Sequence, residues 1–251
     1  MTRTSSVEPS GRRPQVYWEL APWFHLLTHP KSYAGEAKFV ANLLKAKGAN
    51  IKPTMLELGS GGGNNAFHLK KHFALTLTDI SPGMLALSRT INPECEHIEG
   101  DMRSLRLTRR FDFVFVHDAI MYMTTQRDLA RAIKTAFVHC RPGGAVLFQP
   151  DFVHETYKPQ RKRGGHADGG RKLSYVEISR PLATDATTTE VEFRMTLTEA
   201  DGAKRAFVDK HEVGMFRRAI WSRLLSDAGF RVRRVADRWR QDCFLAKRPT
   251  D

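Results

Sequence analysis

Three groups of residues in this 251-residue chain have types and spacing suited to chemistry. The first is Glu57-Leu58-Gly59-Ser60-Gly61-Gly62-Gly63-Asn64, which directly follows a short apolar run. Glycines there let the backbone turn tightly and approach a ligand, with the N–H groups of the next helix beside it. Glu57 falls inside the apolar run, where a lone carboxylate is costly unless it is paired. It can take backbone N–H groups of the loop or stabilise a cationic ligand group. The second group is a pair of acids. Asp79 ends the next apolar run, where a carboxylate can accept from both hydroxyls of a ribose. Asp101, in Gly100-Asp101-Met102, can accept from the exocyclic amine of adenine while the Met102 N–H donates to a ring nitrogen. The third group holds the candidate general bases: His117, Tyr122, Asp151, His154 and His211.

Each of these has a plainer reading. A glycine turn can simply join strand to helix. Asp79 can cap a helix, although Ser81 already fills that role, and Asp101 can be an ordinary turn aspartate. His117 ends an apolar run and suits a buried histidine or a backbone contact to a ligand. Tyr122 lies between methionines and suits packing. His154 falls at the mouth of the expected pocket. His211 and Glu212 are adjacent, so on a strand they face opposite sides. Ser60 lies in G-S-G, outside the G-x-S-x-G elbow of a nucleophilic serine. The histidines are scattered without metal-ligand spacing, so no metal is expected.

The elements that must hold these groups follow from periodicity. Apolar runs at 54–58, 74–79, 95–101, 111–118 and 144–150 read as strands, and amphipathic stretches between them read as helices. The segment SPGMLALSRTI carries a Ser81 cap and Pro82 at its first position. Strand–helix alternation of this kind predicts a Rossmann-like, doubly wound, mainly parallel sheet of seven strands, with its ligand beyond the carboxyl ends of the strands. After residue 151 the pattern changes to alternating strands with turn signals, predicting an antiparallel insertion over 151–216 after the fifth strand. The organisation expected is a disordered tail over 1–14 and one domain over 15–251, with the insertion as a lid.

Together the E-x-G-x-G-x-G run, the acid after the second strand and the G-D-M after the third resemble the class I S-adenosylmethionine-dependent methyltransferases. Within that family the chain is most similar to the small-molecule branch, which includes sugar-amine N,N-dimethyltransferases and glycine-type N-methyltransferases. The segments SYAGEA, EGDMRSLRL, QPDFVHETY and HEVGMFRRAIWSRLLSDAGF carry that likeness. The resemblance implies that Gly59, Ser60, Gly61 and Gly63 approach the methionine part of the cofactor, that Asp79 binds its ribose, and that Asp101 with Met102 binds adenine. It implies further that Ile80 and Met84 pack on ribose and adenine, that His117 lies beneath the methionine portion, and that Tyr33 reaches the cofactor carboxylate. The amino-sugar enzymes often carry a histidine in a G-H-L context where this chain has Met121-Tyr122-Met123, so Tyr122 is a positional substitute only. The expected reaction is in-line transfer of a methyl group to nitrogen or oxygen of a small molecule, leaving S-adenosylhomocysteine.

Composition narrows the rivals. Hydrophobic residues make up 41% of the chain, enough for a core. No apolar stretch is long enough to span a membrane, and three separated cysteines suit a reducing, cytoplasmic setting. The net charge of +13 makes a nucleic-acid methyltransferase the first rival. It is not favoured, because the charge is spread along the chain and no N/D-P-P-Y/F motif follows the fourth strand. An NAD(P)-dependent oxidoreductase is the second rival, opposed by the missing third Rossmann glycine at Asn64. The basic run of residues 161–172, read as a loop, raises the expectation of an anionic acceptor. Arg231, Arg233, Arg234, Arg238 and Arg240 read as the wet side of an edge strand. A homodimer through the antiparallel strands completes the expectations.

Overall fold

The structure is a computed structural model that describes residues 13–44, 51–182, 187–237, 239 and 241–250. Most of the expected N-terminal tail, and Arg238 and Arg240, therefore lie outside the described residues. The main sheet contains β1 (Thr54–Leu58), β2 (Ala74–Asp79), β3 (Glu96–Glu99), β4 (Phe111–Val116) and β5 (Cys140–Phe148), with β11 (Arg231–Ala236) and β12 (Asp242–Lys247) at one side. Its order is β11-β12-β5-β4-β1-β2-β3. The first five strands are parallel, and β12 pairs antiparallel with both β5 and β11. The order reverses at β1, between β2 and β4, and a crevice forms there beyond the strand ends.

Burial on both faces explains why β4 and the Ala145–Phe148 part of β5 are nearly all apolar. On one face, α2 (Ala34–Leu44) and α3 (Ala66–Leu69) bring Val40, Leu44 and Leu69 against Leu77, Phe115 and Leu147. On the other, α5 (Gln126–His139) and α6 (Arg218–Asp227) bring Leu129, Ile133 and Trp221 against Val114, Phe148 and Phe244. The Trp221 and Phe244 rings stack at 4.9 Å. The helix α4 (Pro82–Ile91) begins as its sequence predicts, with the Met84 N–H donating to Ser81 Oγ at 3.2 Å.

A second, antiparallel sheet is built from β6 (Gln160–Gly164), β8 (Arg171–Pro181), β9 (Thr188–Thr198) and β10 (Lys204–Gly214), in the order β10-β9-β8-β6. The two-residue β7 (Ala167–Asp168) pairs with β8. The N-terminal segment joins the two sheets. Its residues Val16, Leu20, Trp23, Phe24 and Leu26, including the short α1 (Phe24–Leu27), share one apolar cluster with Met84 and with Leu173, Met195 and Leu197 of the second sheet.

One sequence expectation needs correcting. Residues 161–172 are not a loop, because Arg161, Lys162 and Arg163 form β6, an edge strand paired with β8. Charged edge strands resist pairing with other chains, and they lack the β-branched signature by which strands are recognised. Strand alternation then divides the basic run. Lys162 faces the main sheet's crevice, while Arg161 and Arg163 face away. Arg171 is taken up elsewhere, stacking on the Trp23 ring at 3.8 Å.

Candidate active site

The crevice holds two adjoining cavities. The first, of about 650 Å³, lies over the ends of β1, β2, β3 and β4. Its floor is the glycine loop. Gly59 has φ +73°, and a Cβ there would lie 2.4 Å from Ala119 Cβ and 2.8 Å from Met102 Cε. Only glycine suits that position. Gly63 has a different role. A Cβ there would meet Ser88 Oγ at 2.2 Å, so this glycine lets α4 pack against the loop. Glu57, Gly59, Ser60, Gly61, Asp79, Ile80, Asp101, Met102, His117 and Tyr33 all line the cavity, as the sequence predicts. Gly63 and Met84 do not. Met84 is fully buried beneath the loop, 3.5 Å from the Cβ position of Gly61.

Asp79 is fixed by backbone donors. The Gly61 N–H donates to its Oδ2 at 2.8 Å, and the Ser81 N–H to its Oδ1 at 2.9 Å. Burial pushes its carboxyl upward, and these N–H groups oppose that shift. The carboxylate keeps capacity for further donors. Beside it Ile80 is 51% exposed, an apolar surface open to a planar ligand. Asp101 is held by Arg103, whose guanidinium makes a bidentate pair at 2.6–3.0 Å and whose N–H donates to Oδ1 at 2.7 Å. Burial opposes charge on Asp101, but Arg103 outweighs it and keeps the carboxyl low. Sequence reasoning did not foresee that Arg103 shares this acid.

At the base of the first cavity, Glu57 is 2% exposed, and its Oε2 has no partner. Burial pushes its carboxyl up to about 8, so it is protonated at neutral pH. His117 lies between carboxylates, with Nε2 3.0 Å from Glu36 Oε1 and Nδ1 3.1 Å from Asp118 Oδ1. Burial alone would lower its pKa. Asp118 and Glu36 outweigh burial and raise it well above the ordinary value, so the ring is cationic. The residues fit S-adenosylmethionine. The cavity offers an acid for a ribose, an apolar flank for adenine, and orphaned polar atoms on Glu57 and Ser60 for the charged methionine end.

The second cavity, of about 540 Å³, lies between the crevice and the inner face of the second sheet. Tyr17, Phe24, Tyr33, Asp118 and Tyr122 line both cavities and form their common wall. Asp151, Lys158, Lys162, Tyr175, Glu177 and His211 line the second alone. Asp118 is opposed by burial, but the adjacent His117 keeps its carboxyl low and charged. Asp151 is open to the cavity and yet hemmed in by protein. That surrounding mass and the Asp118 charge push its carboxyl up to about 7. Tyr122 Oη lies 3.0 Å from Tyr17 Oη and 2.7 Å from His211 Nδ1. His154 is not brought to either cavity, and its N–H bonds the Phe216 carbonyl at 3.1 Å. His211 is buried and Glu212 exposed, on opposite strand faces as expected. Tyr17 and Asp118 were missed. Tyr17 lies in an aromatic-rich segment that reads equally as packing, and Asp118 carries no signal beyond its place after β4. Among the described residues no cluster of His, Cys, Asp and Glu is arranged to hold a metal, and no helix is long and apolar enough to cross a membrane.

Comparison with known proteins agrees with this arrangement. The profile of a family described as a methyltransferase domain matches residues 55–144. A dTDP-3-amino-3,4,6-trideoxy-alpha-D-glucopyranose N,N-dimethyltransferase of Streptomyces venezuelae is 28% identical over 214 residues, covering 80% of this chain and 85% of the relative. The crystal structure of Streptomyces venezuelae DesVI superposes with a TM-score of 0.79 at 25% identity, covering 92% of this chain and 98% of that one. CalS10 with bound S-adenosylmethionine, an amino pentose methyltransferase from Micromonospora echinaspora, gives 0.74 at 25% identity over 96% of this chain and 100% of its own. Fold, cofactor and reaction class coincide in methyl transfer from S-adenosylmethionine to a small molecule.

Proposed function

We propose that this S-adenosylmethionine-dependent methyltransferase methylates an amine of a nucleotide-linked sugar. The observation that carries the reading is the polarity of the second cavity. Its wall against the cofactor cavity presents three phenols and the Asp118 carboxylate, suited to an ammonium or amine. Its remaining lining includes Lys158 and Lys162, on the same face of β6 and the residues before it, suited to a diphosphate. Aromatic Tyr175, Phe193 and Trp239 supply surfaces for rings. The S. venezuelae relative named for a dTDP-amino sugar and the amino pentose enzyme support the same acceptor class.

When bound, S-adenosylmethionine supplies an activated methyl group on sulfur. The protein's task is to place a nitrogen in line with it, which is chiefly a matter of positioning. Asp79, Ile80 and the glycine loop hold the cofactor's nucleoside and methionine parts, and Glu57 and Tyr33 serve the methionine end. Asp101 and Met102 serve adenine. Asp118 and the phenols of Tyr17 and Tyr122 hold the acceptor nitrogen at the common wall, with Asp151 beside it in the second cavity. The second sheet covers this wall as a lid within one domain. Val208, exposed on β10 of this sheet, supports pairing of two chains through it, which sedimentation would test. A cytoplasmic setting suits nucleotide-linked sugars and the free cysteines.

The test is release of S-adenosylhomocysteine from three acceptor sets: nucleoside-diphosphate sugars bearing an amine, the matched sugars bearing a hydroxyl, and RNA. Turnover of the amine set alone is expected. Turnover of either other set with the amine set untouched would overturn the reading.

A further inference from the structure

Behind the common wall runs an unbroken chain of hydrogen bonds that methyl transfer by positioning does not require. Tyr17 Oη and Tyr122 Oη are 3.0 Å apart, Tyr122 Oη and His211 Nδ1 are 2.7 Å apart, and His211 Nε2 and Asp209 Oδ2 are 3.0 Å apart. The Val16 N–H donates to the same Asp209 oxygen at 2.8 Å. His211 and Asp209 are 2% and 5% exposed, on β10 of the second sheet. The two phenols come from opposite ends of the chain's N-terminal half and open onto both cavities. We propose that His211, oriented by Asp209, is the proton sink of this site, reached from the acceptor nitrogen through Tyr17 and Tyr122. The inference rests on the reading of the acceptor as an amine.

Hydrogen-bond capacity limits where the protons can lie. A phenol has one proton to donate. Asp209 already takes the Val16 N–H, and as a carboxylate it can only accept, so His211 must present Nε2–H to it. Nδ1 of the neutral ring is then an acceptor. In the structure the Tyr122 O–H donates to Tyr17 Oη; both hydroxyls can rotate, so when Nδ1 carries no proton Tyr122 turns to donate to it and Tyr17 turns to donate to Tyr122. This leaves a lone pair on Tyr17 Oη at the end that faces the cavities. An acceptor ammonium can give one proton to Tyr17, which passes its own to Tyr122, which passes its own to Nδ1. One N–H bond on the acceptor breaks, one N–H bond on the imidazole forms, and the phenols are unchanged in number of protons. The freed nitrogen lone pair forms the new C–N bond as the C–S electron pair returns to sulfur. The imidazolium is left against the Asp209 carboxylate. His211 is only 2% exposed, so the same chain serves to return the proton once product has left.

The surroundings make the phenols carriers and not stores. Burial pushes both Tyr17 and Tyr122 far above ordinary phenol values, and Asp118 adds to the rise in each. Neither phenol ionises near neutral pH, which leaves the imidazole as the group that holds the proton. Asp209 is opposed by burial, but the bonds from His211 and Val16 keep its carboxyl low. The groups facing His211 are Tyr17 and Tyr122 from the first sheet's side, Asp209 on its own strand, and the Phe193 ring of β9 at 5.3 Å. No cation is among them.

Two measurements test this. The first needs no acceptor: nitrogen NMR of His211 in the full chain loaded with S-adenosylhomocysteine. The proposal expects the Nε2–H tautomer with Nδ1 unprotonated at neutral pH, and an Nδ1 shift that moves in Tyr122→Phe. An Nδ1–H tautomer would overturn it. The second is the pH profile of His211→Gln, whose amide can keep both bonds but cannot hold a proton, using an amine acceptor that wild type turns over. Its kcat is expected to fall about 100-fold at pH 7, with cofactor affinity and acceptor KM unchanged. The loss should shrink as pH rises and the amine arrives already deprotonated. An unchanged kcat, or a loss that does not vary with pH, would overturn the proposal. If wild type turned over no amine, the acceptor reading would fall by itself, and the tautomer would still decide whether the relay exists.

Discussion

The two cavities share a wall but are built on different principles. The first is made by backbone. Its defining features are a glycine at φ +73°, N–H groups aimed at Asp79, and acids at the ends of consecutive parallel strands. The second is made by side chains from elements far apart in the sequence: Tyr17, Tyr122, Asp151, Lys162 and His211 meet only because two sheets and the N-terminal segment pack together. A cofactor common to many reactions suits the first kind of site. An acceptor particular to one enzyme suits the second, where single substitutions change recognition without disturbing the fold.

The contrast predicts a graded response. The largest effect belongs to Gly59→Ala. The new Cβ meets Ala119 and Met102 in a left-handed backbone position, costing roughly 2–5 kcal/mol from strain and overpacking together. Thermal unfolding should show the loss, and cofactor binding should vanish with it. Next comes Asp79→Ala, which removes the acid proposed to take the ribose and releases the Gly61 and Ser81 N–H groups. Calorimetry should show S-adenosylmethionine affinity falling about 100-fold, as expected for lost bonds to a charged group. Unchanged affinity would remove Asp79 from the site.

Substitutions in the second cavity should act on the acceptor alone. Lys158→Ala with Lys162→Ala should raise the KM of an anionic acceptor about tenfold, with cofactor affinity and melting temperature unchanged. The wild-type KM should rise with salt and the variant's should not. A parallel loss of cofactor affinity would dissolve the distinction between the cavities. A separate, pH-dependent effect concerns Glu57. Its carboxyl lies at about 8 when folded, above its unfolded value, so the folded chain holds this proton more tightly. That contribution to stability is present at low pH and is lost as pH rises from the unfolded value through about 8. The melting temperature of the cofactor-free protein should fall over that range, and Glu57→Gln should flatten the fall.

The same contrast explains what could be read from the sequence. Strands β1, β2 and β4, the Ser81 cap and the residues lining the first cavity are local patterns: apolar runs, a glycine cluster, an acid at a strand end. The β6 strand was not legible, because Arg161-Lys162-Arg163 has the composition of a solvated loop and becomes a strand only through pairing with β8. Gly63 was assigned to the cofactor because spacing cannot tell a glycine that admits a ligand from one that admits a helix; Ser88 behind it decides. The Tyr122–His211 contact joins residues 89 apart in sequence, and nothing near either residue announces the other.

The measurement that bears most directly on the account is a crystal structure of the ternary complex with S-adenosylhomocysteine and a nucleoside-diphosphate amino sugar. The expected arrangement has the nucleoside of S-adenosylhomocysteine at Asp79 and Ile80, the sugar nitrogen at the wall shared by Tyr17, Tyr122 and Asp118, and the diphosphate beside Lys158 and Lys162. A sugar nitrogen bound away from that wall, or a diphosphate seated in the glycine-loop cavity, would contradict it.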